Sequence, residues 1–234
     1  MSPLVSFRFE DSISTITMDD GKVNALSLPM ITELNAALDQ AASAGGVVLL
    51  GGRDGVFSAG FDLPVLRAGG TEAATMLRAG FELAERLLSF PRPVVVACTG
   101  HAVAMGAFLL LSGDYRVGAA GEYKLTANEV AIGLTLPRAA VEILRQRLTP
   151  TYLVRAATLA EPFSPANAVE AGFLDQVVDA GQLRDVARGV AGAMAGLDMA
   201  AHAATKLRVR QHTLDALRAA IDADHAEFRQ RSRG

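Results

Sequence analysis

Twice in its first half the chain runs from an apolar strand through a turn of small residues into a helix. In the first pass, Val47-Val48-Leu49-Leu50 reads as a strand and Gly51-Gly52-Arg53-Asp54-Gly55 as a loop. The turn Phe57-Ser58-Ala59-Gly60-Phe61-Asp62-Leu63 follows, and Leu77, Phe81, Ala84 and Leu88 then recur at helical spacing. In the second pass, Pro93 to Ala97 is the strand and Thr99 to Gly106 the turn. Ala107 to Leu111 is a helix apolar on every side, the kind buried all round. This order predicts α/β layering and a winding of similar units, although the two passes share too little sequence to be a true repeat. The first turn has a chemical consequence. Ser58, Ala59 and Gly60 leave little bulk to cover backbone N–H groups, and uncovered N–H groups bind an anion or a developing oxyanion. A tight buried connection without chemistry is the plainer alternative.

Around these passes the pattern is simple. Val5, Phe7 and Phe9 alternate, as do Ile16 and Met18, which predicts an opening hairpin. Ser27 and Pro29 start an amphipathic helix through Ile31, Leu34, Leu38 and Ala41, and Gly45-Gly46 ends it. Tyr115–Val117 and Glu122–Leu125 read as short strands, with Thr126–Ile132 a loop bearing Glu129. Helices follow: one from Pro137, one over Tyr152–Leu159, one capped by Ser164-Pro165, one through Leu183, Val186, Val190 and Met194, and two at Ala200–Arg210 and Thr213–Arg229.

Half of the 234 residues are hydrophobic and a fifth are charged, enough for a large core in one domain or a domain with a small appendage. The net charge of −3 argues against nucleic acid as the main partner. Residues 201–234 carry seven Lys/Arg against four Asp/Glu, a solvated helical face or a surface for phosphate groups. Cys98, the only cysteine, lies in an apolar run and reads as a structural thiol, so neither a disulfide framework nor a cysteine zinc site is expected. The uncharged run Val94–Gly113 is long enough to span a bilayer. Its β-branched start and its interruptions at Gly100, Gly106 and Ser112 fit a strand, loop and core helix better. No signal peptide is read at the N-terminus, and a soluble cytoplasmic protein without a membrane partner is the expectation.

Four stretches in order resemble the crotonase superfamily, the enoyl-CoA hydratase/isomerase family. Lys22-Val23-Asn24-Ala25-Leu26 is similar to its Asn-Ala-Leu motif, and Phe57–Leu63 to Phe-x-Ala-Gly-x-Asp-Leu. Thr99-Gly100-His101-Ala102-Val103-Ala104-Met105-Gly106 resembles its glycine-rich second turn, with Ala104 and Met105 replacing two glycines. Glu129–Pro137 resembles Pro-Glu-x-x-x-Gly-x-x-Pro. Ala168–Val178 adds a weaker match, so the likeness covers about residues 5–180. It implies an α/β fold, a crotonase-like spiral of ββα repeats over residues 1–180. Helices over 181–234 would cover CoA and assemble a homotrimer or hexamer. It implies an acyl-CoA thioester as ligand, with CoA part of the substrate and no separate cofactor or metal.

Carried over by position, the thioester carbonyl would sit between the Phe61 and Met105 N–H groups, with Ala59, Gly60 and Gly106 of the two turns among the substrate-binding residues. Asp62 would hold the first donor's loop in place. Val23 and Ala25 would offer backbone to the adenine end, and Lys22 or Lys206 would approach the phosphates unless they are ordinary solvated lysines. His101 reads as a packed histidine. Of the two glutamates that flank the active-site water in the family's hydratases, one matches Glu129 and the other falls at Phe108. A single carboxylate beside an apolar side chain resembles the mitochondrial-type Δ3,Δ2-enoyl-CoA isomerases. Moving a double bond needs one group that removes a proton and returns it elsewhere, whereas hydration must also hold and activate water. A dry neighbourhood including Phe108 would raise the Glu129 pKa. Isomerisation is therefore expected. Hydration with one carboxylate and acyl-CoA binding without catalysis are the alternatives.

Overall fold

The structure, a computed structural model, describes residues 3–231. The chain opens with the expected hairpin, β1 (Val5–Glu10) and β2 (Ile13–Met18), paired antiparallel. Ser27 then caps α1 (Leu28–Ala44): its hydroxyl accepts the Met30 N–H, Pro29 lies in the first turn, and Gly45 closes the helix in the left-handed conformation.

Three ββα units follow. The first is β3 (Val47–Gly51), β4 (Gly55–Ser58), α2 (Leu63–Ala68) and α3 (Gly70–Ser89). The second is β5 (Val94–Cys98), β6 (Gly100–Val103) and α4 (Met105–Leu111). The third is β7 (Tyr115–Ala119), β8 (Leu125–Thr126) and, after a 3-10 turn at Val130–Ile132, α5 (Arg138–Arg145). The first strand of each unit enters a six-stranded sheet of order β1-β2-β3-β5-β7-β9, and the second enters a three-stranded sheet of order β4-β6-β8. Beyond the opening hairpin the named strands of both sheets pair in parallel. The chain is completed by α6 (Pro150–Thr158), α7 (Pro165–Ala171), β9 (Gln176–Val178), α8 (Leu183–Met194) and α9 (Met199–Arg231).

The unbroken apolar runs of β3 and β5 have a direct cause, because the large sheet is buried on both faces. Val48, Leu50, Val94 and Val96 join the main core with α1, α3 and α4. Val47, Leu49, Val95 and Ala97 meet Leu183, Ala187 and Ala191 of α8 on the other face. Each fully buried Val or Leu contributes about 1.5–3 kcal/mol of transfer free energy, so slipping a strand by one residue would change every partner on both faces.

The structure departs from the sequence pattern in three places. The turns ending in Phe61 and Met105 begin as short strands, β4 and β6, and the Glu122–Leu125 strand is instead Leu125–Thr126. The strand β9 carries no clear signal, being three half-buried residues at the edge of the large sheet. The last two expected helices are one helix of 33 residues. Gln211-His212 breaks the apolar pattern there, but no Gly or Pro lies between 199 and 231, so the helix continues through its solvent-facing residues. Among the described residues no helix is long and apolar enough to cross a membrane; the Val94–Gly113 run is β5, β6 and α4.

Candidate active site

The small sheet brings Phe61, Met105 and Glu129 to one edge. Its parallel strands β4, β6 and β8 are neighbours, with Ser58 beside Ala102 and Val103 beside Thr126. Phe61 follows the end of β4, Met105 the end of β6 and Glu129 the end of β8. Neighbouring strands lie about 4.8 Å apart, so three residues just beyond three adjacent carboxyl ends share one edge. The edge is stitched further by Ala104, whose N–H donates to the Thr126 carbonyl at 2.9 Å.

Two glycines let the turns meet. Gly60 has φ +89°, and a Cβ there would lie 2.9 Å from the Val103 oxygen, 3.0 Å from the Ala104 Cβ and 3.2 Å from the Met105 nitrogen. The Phe61 turn thus approaches the Met105 amide too closely to leave room for a side chain, at a position open only to glycine. At Gly106 a Cβ would meet the Ser58 oxygen at 2.3 Å, so α4 is seated directly on the end of β4. Neither the Phe61 nor the Met105 N–H donates to another group among the described residues. Two backbone donors without internal partners at one sheet edge are what an oxyanion requires.

Glu129 stands at the head of the 3-10 turn and caps nothing with its side chain. It is 8 % exposed, and its Oε2 is buried without a hydrogen-bond partner. Burial pushes its pKa up to about 7, against a small opposing hydrogen bond from its own backbone. A carboxylate left dry and unpaired carries a standing cost, and such groups cluster where proton transfer occurs.

Phe108 is buried in α4 and stacks on Phe81, ring centroids 6.2 Å apart; Phe81 in turn meets the Phe61 ring edge-on at 6.0 Å. An apolar aromatic row therefore runs inward from the first donor. The Met105 side chain is buried in the main core. Asp62 caps α2, its Oδ1 accepting the Val65 N–H at 3.3 Å. Ala59 is exposed and donates its N–H to the Val23 carbonyl. The Ala25 N–H donates to Asp20 and its carbonyl accepts from Ser27, so what Val23 and Ala25 retain for a ligand includes a second lone pair on each carbonyl. Lys22 is exposed. His101 is half-buried, edge-on to Tyr123, with Nδ1 accepting the Lys124 N–H at 3.1 Å. The Cys98 thiol is buried and pushed up to about 12 by desolvation.

Lys206 requires a correction. It is not a solvated lysine, and its ammonium is already engaged within the protein. Its Nζ lies 2.7 Å from Asp114 Oδ2 and donates to the Arg92 carbonyl, and burial pulls its pKa down to about 8. Arg210 holds the other Asp114 oxygen at 2.9 Å, so the two cations share one buried carboxylate. Asn24 and Ser58 appear in the sequence only as letters of motifs, yet both are fully buried polar residues in hydrogen-bond contact at 2.7 Å. Their signal was the rarity of buried polar side chains, which needs a burial map to be seen.

Residues 8–233 match the family model for enoyl-CoA hydratase/isomerase. The human mitochondrial enoyl-CoA delta isomerase 1 is 32 % identical over 222 residues, covering 92 % of this chain and 73 % of that protein. An apo structure of an enoyl-CoA isomerase from Mycobacterium tuberculosis is 52 % identical with a TM-score of 0.94, covering 97 % of this chain and 100 % of that one. An enoyl-CoA hydratase structure, EchA3 from Mycobacterium ulcerans, is 51 % identical with a TM-score of 0.93, covering 96 % and 99 %. Motifs, spiral and these likenesses agree, and the chain belongs to the enoyl-CoA hydratase/isomerase family.

Proposed function

We propose that the protein isomerises 3-enoyl-CoA to 2-enoyl-CoA, with Glu129 as its one proton-transferring group. The observation that carries this is a buried Glu129 whose Oε2 has no hydrogen-bond partner; it is supported by Phe108, a buried apolar ring at the position that the family resemblance assigns to a hydratase's second carboxylate. The thioester carbonyl would accept hydrogen bonds from Phe61 N–H and Met105 N–H. Glu129 takes a proton from C2, and the electron pair spreads over C2, C3 and C4 and the carbonyl oxygen as a dienolate. The same carboxyl then returns the proton to C4, leaving the double bond between C2 and C3. A base whose pKa is near neutrality suits this task, because it must both take and give back the proton. Hydration asks for a held water and a second acid–base group, and an apolar ring supports neither.

The relatives bear both names, isomerase and hydratase, so product analysis decides. Mass spectrometry of a 3-enoyl-CoA incubation is expected to show a 2-enoyl product of unchanged mass. A mass gain of one water from 2-enoyl-CoA, at a rate comparable to isomerisation, would overturn the reading. Exchange of α-protons of a saturated acyl-CoA in heavy water, lost in Glu129→Gln with binding retained, would exclude a purely binding role.

A further inference from the structure

The Phe61 N–H can serve as a donor only if its peptide plane is held. The carbonyl and N–H of one trans peptide point in opposite directions, so fixing one aims the other. The Gly60 carbonyl, on the same peptide as the Phe61 N–H, accepts the Leu26 N–H at 2.8 Å, and Leu26 bridges Phe61 in parallel. The orientation of the donor is therefore set from the loop that ends at Leu26.

That loop is organised about Asn24. Asn24 is 0 % exposed and has φ +52°, a left-handed conformation that asparagine tolerates better than most residues. Its Nδ2 donates to the Met18 carbonyl and to the Phe57 carbonyl, both at 3.1 Å, and its Oδ1 accepts the Asp20 N–H at 3.0 Å. Its own N–H donates to Asp20 Oδ1 at 2.9 Å, and its carbonyl accepts the Ser58 hydroxyl at 2.7 Å. The Ser58 oxygen in turn accepts the Gly60 N–H at 3.1 Å. The Asn24 side chain thus ties the end of β2, the Phe57 carbonyl of β4 and the loop to one another, while the backbone carbonyl that it holds in place reaches, through Ser58, the residue before the donor. A buried asparagine that merely satisfies itself within its own loop would have no need to reach across to the Phe57 carbonyl.

We infer that Asn24, acting through Ser58 and Leu26, is the positioning residue that aims the Phe61 N–H at the thioester carbonyl. The inference rests on the reading of Phe61 as an oxyanion donor, but not on which reaction follows. No other side chain supplies two donors and an acceptor in this volume: aspartate lacks the donors, and alanine lacks both and resists the backbone conformation. Asn24→Gly keeps the left-handed backbone accessible and removes only the side chain.

The test is isotope-edited infrared spectroscopy of a saturated acyl-CoA carrying a 13C thioester carbonyl, bound to the full chain. In the unaltered protein the carbonyl band shifts to lower frequency on binding, as polarisation by two donors requires. In Asn24→Gly about half of that shift is expected to be lost. The turnover number should fall about 10–100-fold with KM within about threefold, since removal of an oxyanion donor costs about 10²–10³ and misaiming costs part of that. Ser58→Ala, a smaller change, should move both readouts the same way by less. A full carbonyl shift in Asn24→Gly with lowered thermal stability would make Asn24 a structural residue and overturn the inference. If Asn24→Gly does not fold, an unchanged shift in Ser58→Ala overturns it instead. No shift in the unaltered protein would mean that Phe61 is not a donor, which is a failure of the earlier reading and is distinguishable from these.

Discussion

At the scale of single residues the site is held in conformations and protonation states that cost stability. Glu129 binds its proton up to about pH 7 in the folded protein but only to about 4.5 in the unfolded chain. The folded state therefore holds more protons between those values, and stability falls as pH rises through that window. Below the lower value the group is neutral in both states and costs nothing. Above the upper value the burden is complete, on the order of 3 kcal/mol. Glu129→Gln should accordingly raise stability by about 1–3 kcal/mol at pH 8 and scarcely at pH 4, read from denaturant melts, while activity falls about 10²–10⁴-fold. Equal melts at both pH values would mean that the carboxylate is not dry. Ala104 stores strain of a different kind. With φ +50° and ψ −125° at the head of α4, it occupies a region that costs a residue with a Cβ about 1–3 kcal/mol. Ala104→Gly should raise the melting temperature by about 2–4 °C, since relief of strain outweighs the added freedom of the unfolded chain by about 1 kcal/mol. A lowered melting temperature would refute the strain.

At the scale of elements, the seating of α4 on β4 decides the spacing of the Phe61 and Met105 N–H groups. Gly106→Ala would place a methyl group 2.3 Å from the Ser58 carbonyl oxygen, a backbone atom that cannot swing aside. The helix must back away, carrying the Met105 N–H from the Phe61 N–H. A displacement near 1 Å is worth about 10²-fold in rate, and the overpacking costs about 1–3 kcal/mol. Steady-state kinetics are expected to show the loss in the turnover number; full activity with an intact fold would show that α4 does not set the donor. The small sheet is also where the sequence was least legible. The large-sheet strands are read directly from Val47–Leu50 and Val94–Val96, because burial on two faces leaves an apolar run. In β4 and β6 the run is short and broken by Gly55, Gly100 and His101, and their pairing with each other is long-range information. Phe61 and Met105 could be singled out from motif position, but the edge that gathers them could not. The burial of Lys206 is likewise not legible in sequence, because its partner Asp114 lies 92 residues away.

At the scale of the molecule, α9 ties together parts of the spiral that share no strand. Leu214, Leu217 and Ile221 of α9 enter the main core, while its polar residues bind backbone ends on either side. Asp224 accepts the Arg138 and Ala139 N–H groups at the start of α5. About 27 Å away along the helix, by its 1.5 Å rise, Lys206 donates to the Arg92 carbonyl. One turn on from Lys206, Arg210 donates to the Leu88 carbonyl near the end of α3. Asp114, between α4 and β7, also accepts the Val94 N–H, so this carboxylate joins two of the ββα units to α9. Removing one partner of a buried ion pair costs more than the pair contributes, because the other charge is left desolvated. Asp114→Asn strands two cations at once and should cost about 3–5 kcal/mol in denaturant melts. Lys206→Met leaves Asp114 still paired with Arg210 and relieves a lysine already held below its ordinary pKa, so it should change stability by less than about 1.5 kcal/mol at pH 7. Adding Lys206→Met to Asp114→Asn should then recover a measurable part of the loss, since one stranded charge is gone. If the double variant is as unstable as the two single losses added together, Lys206 does not depend on Asp114, and this carboxylate does not hold α9 to the spiral through it.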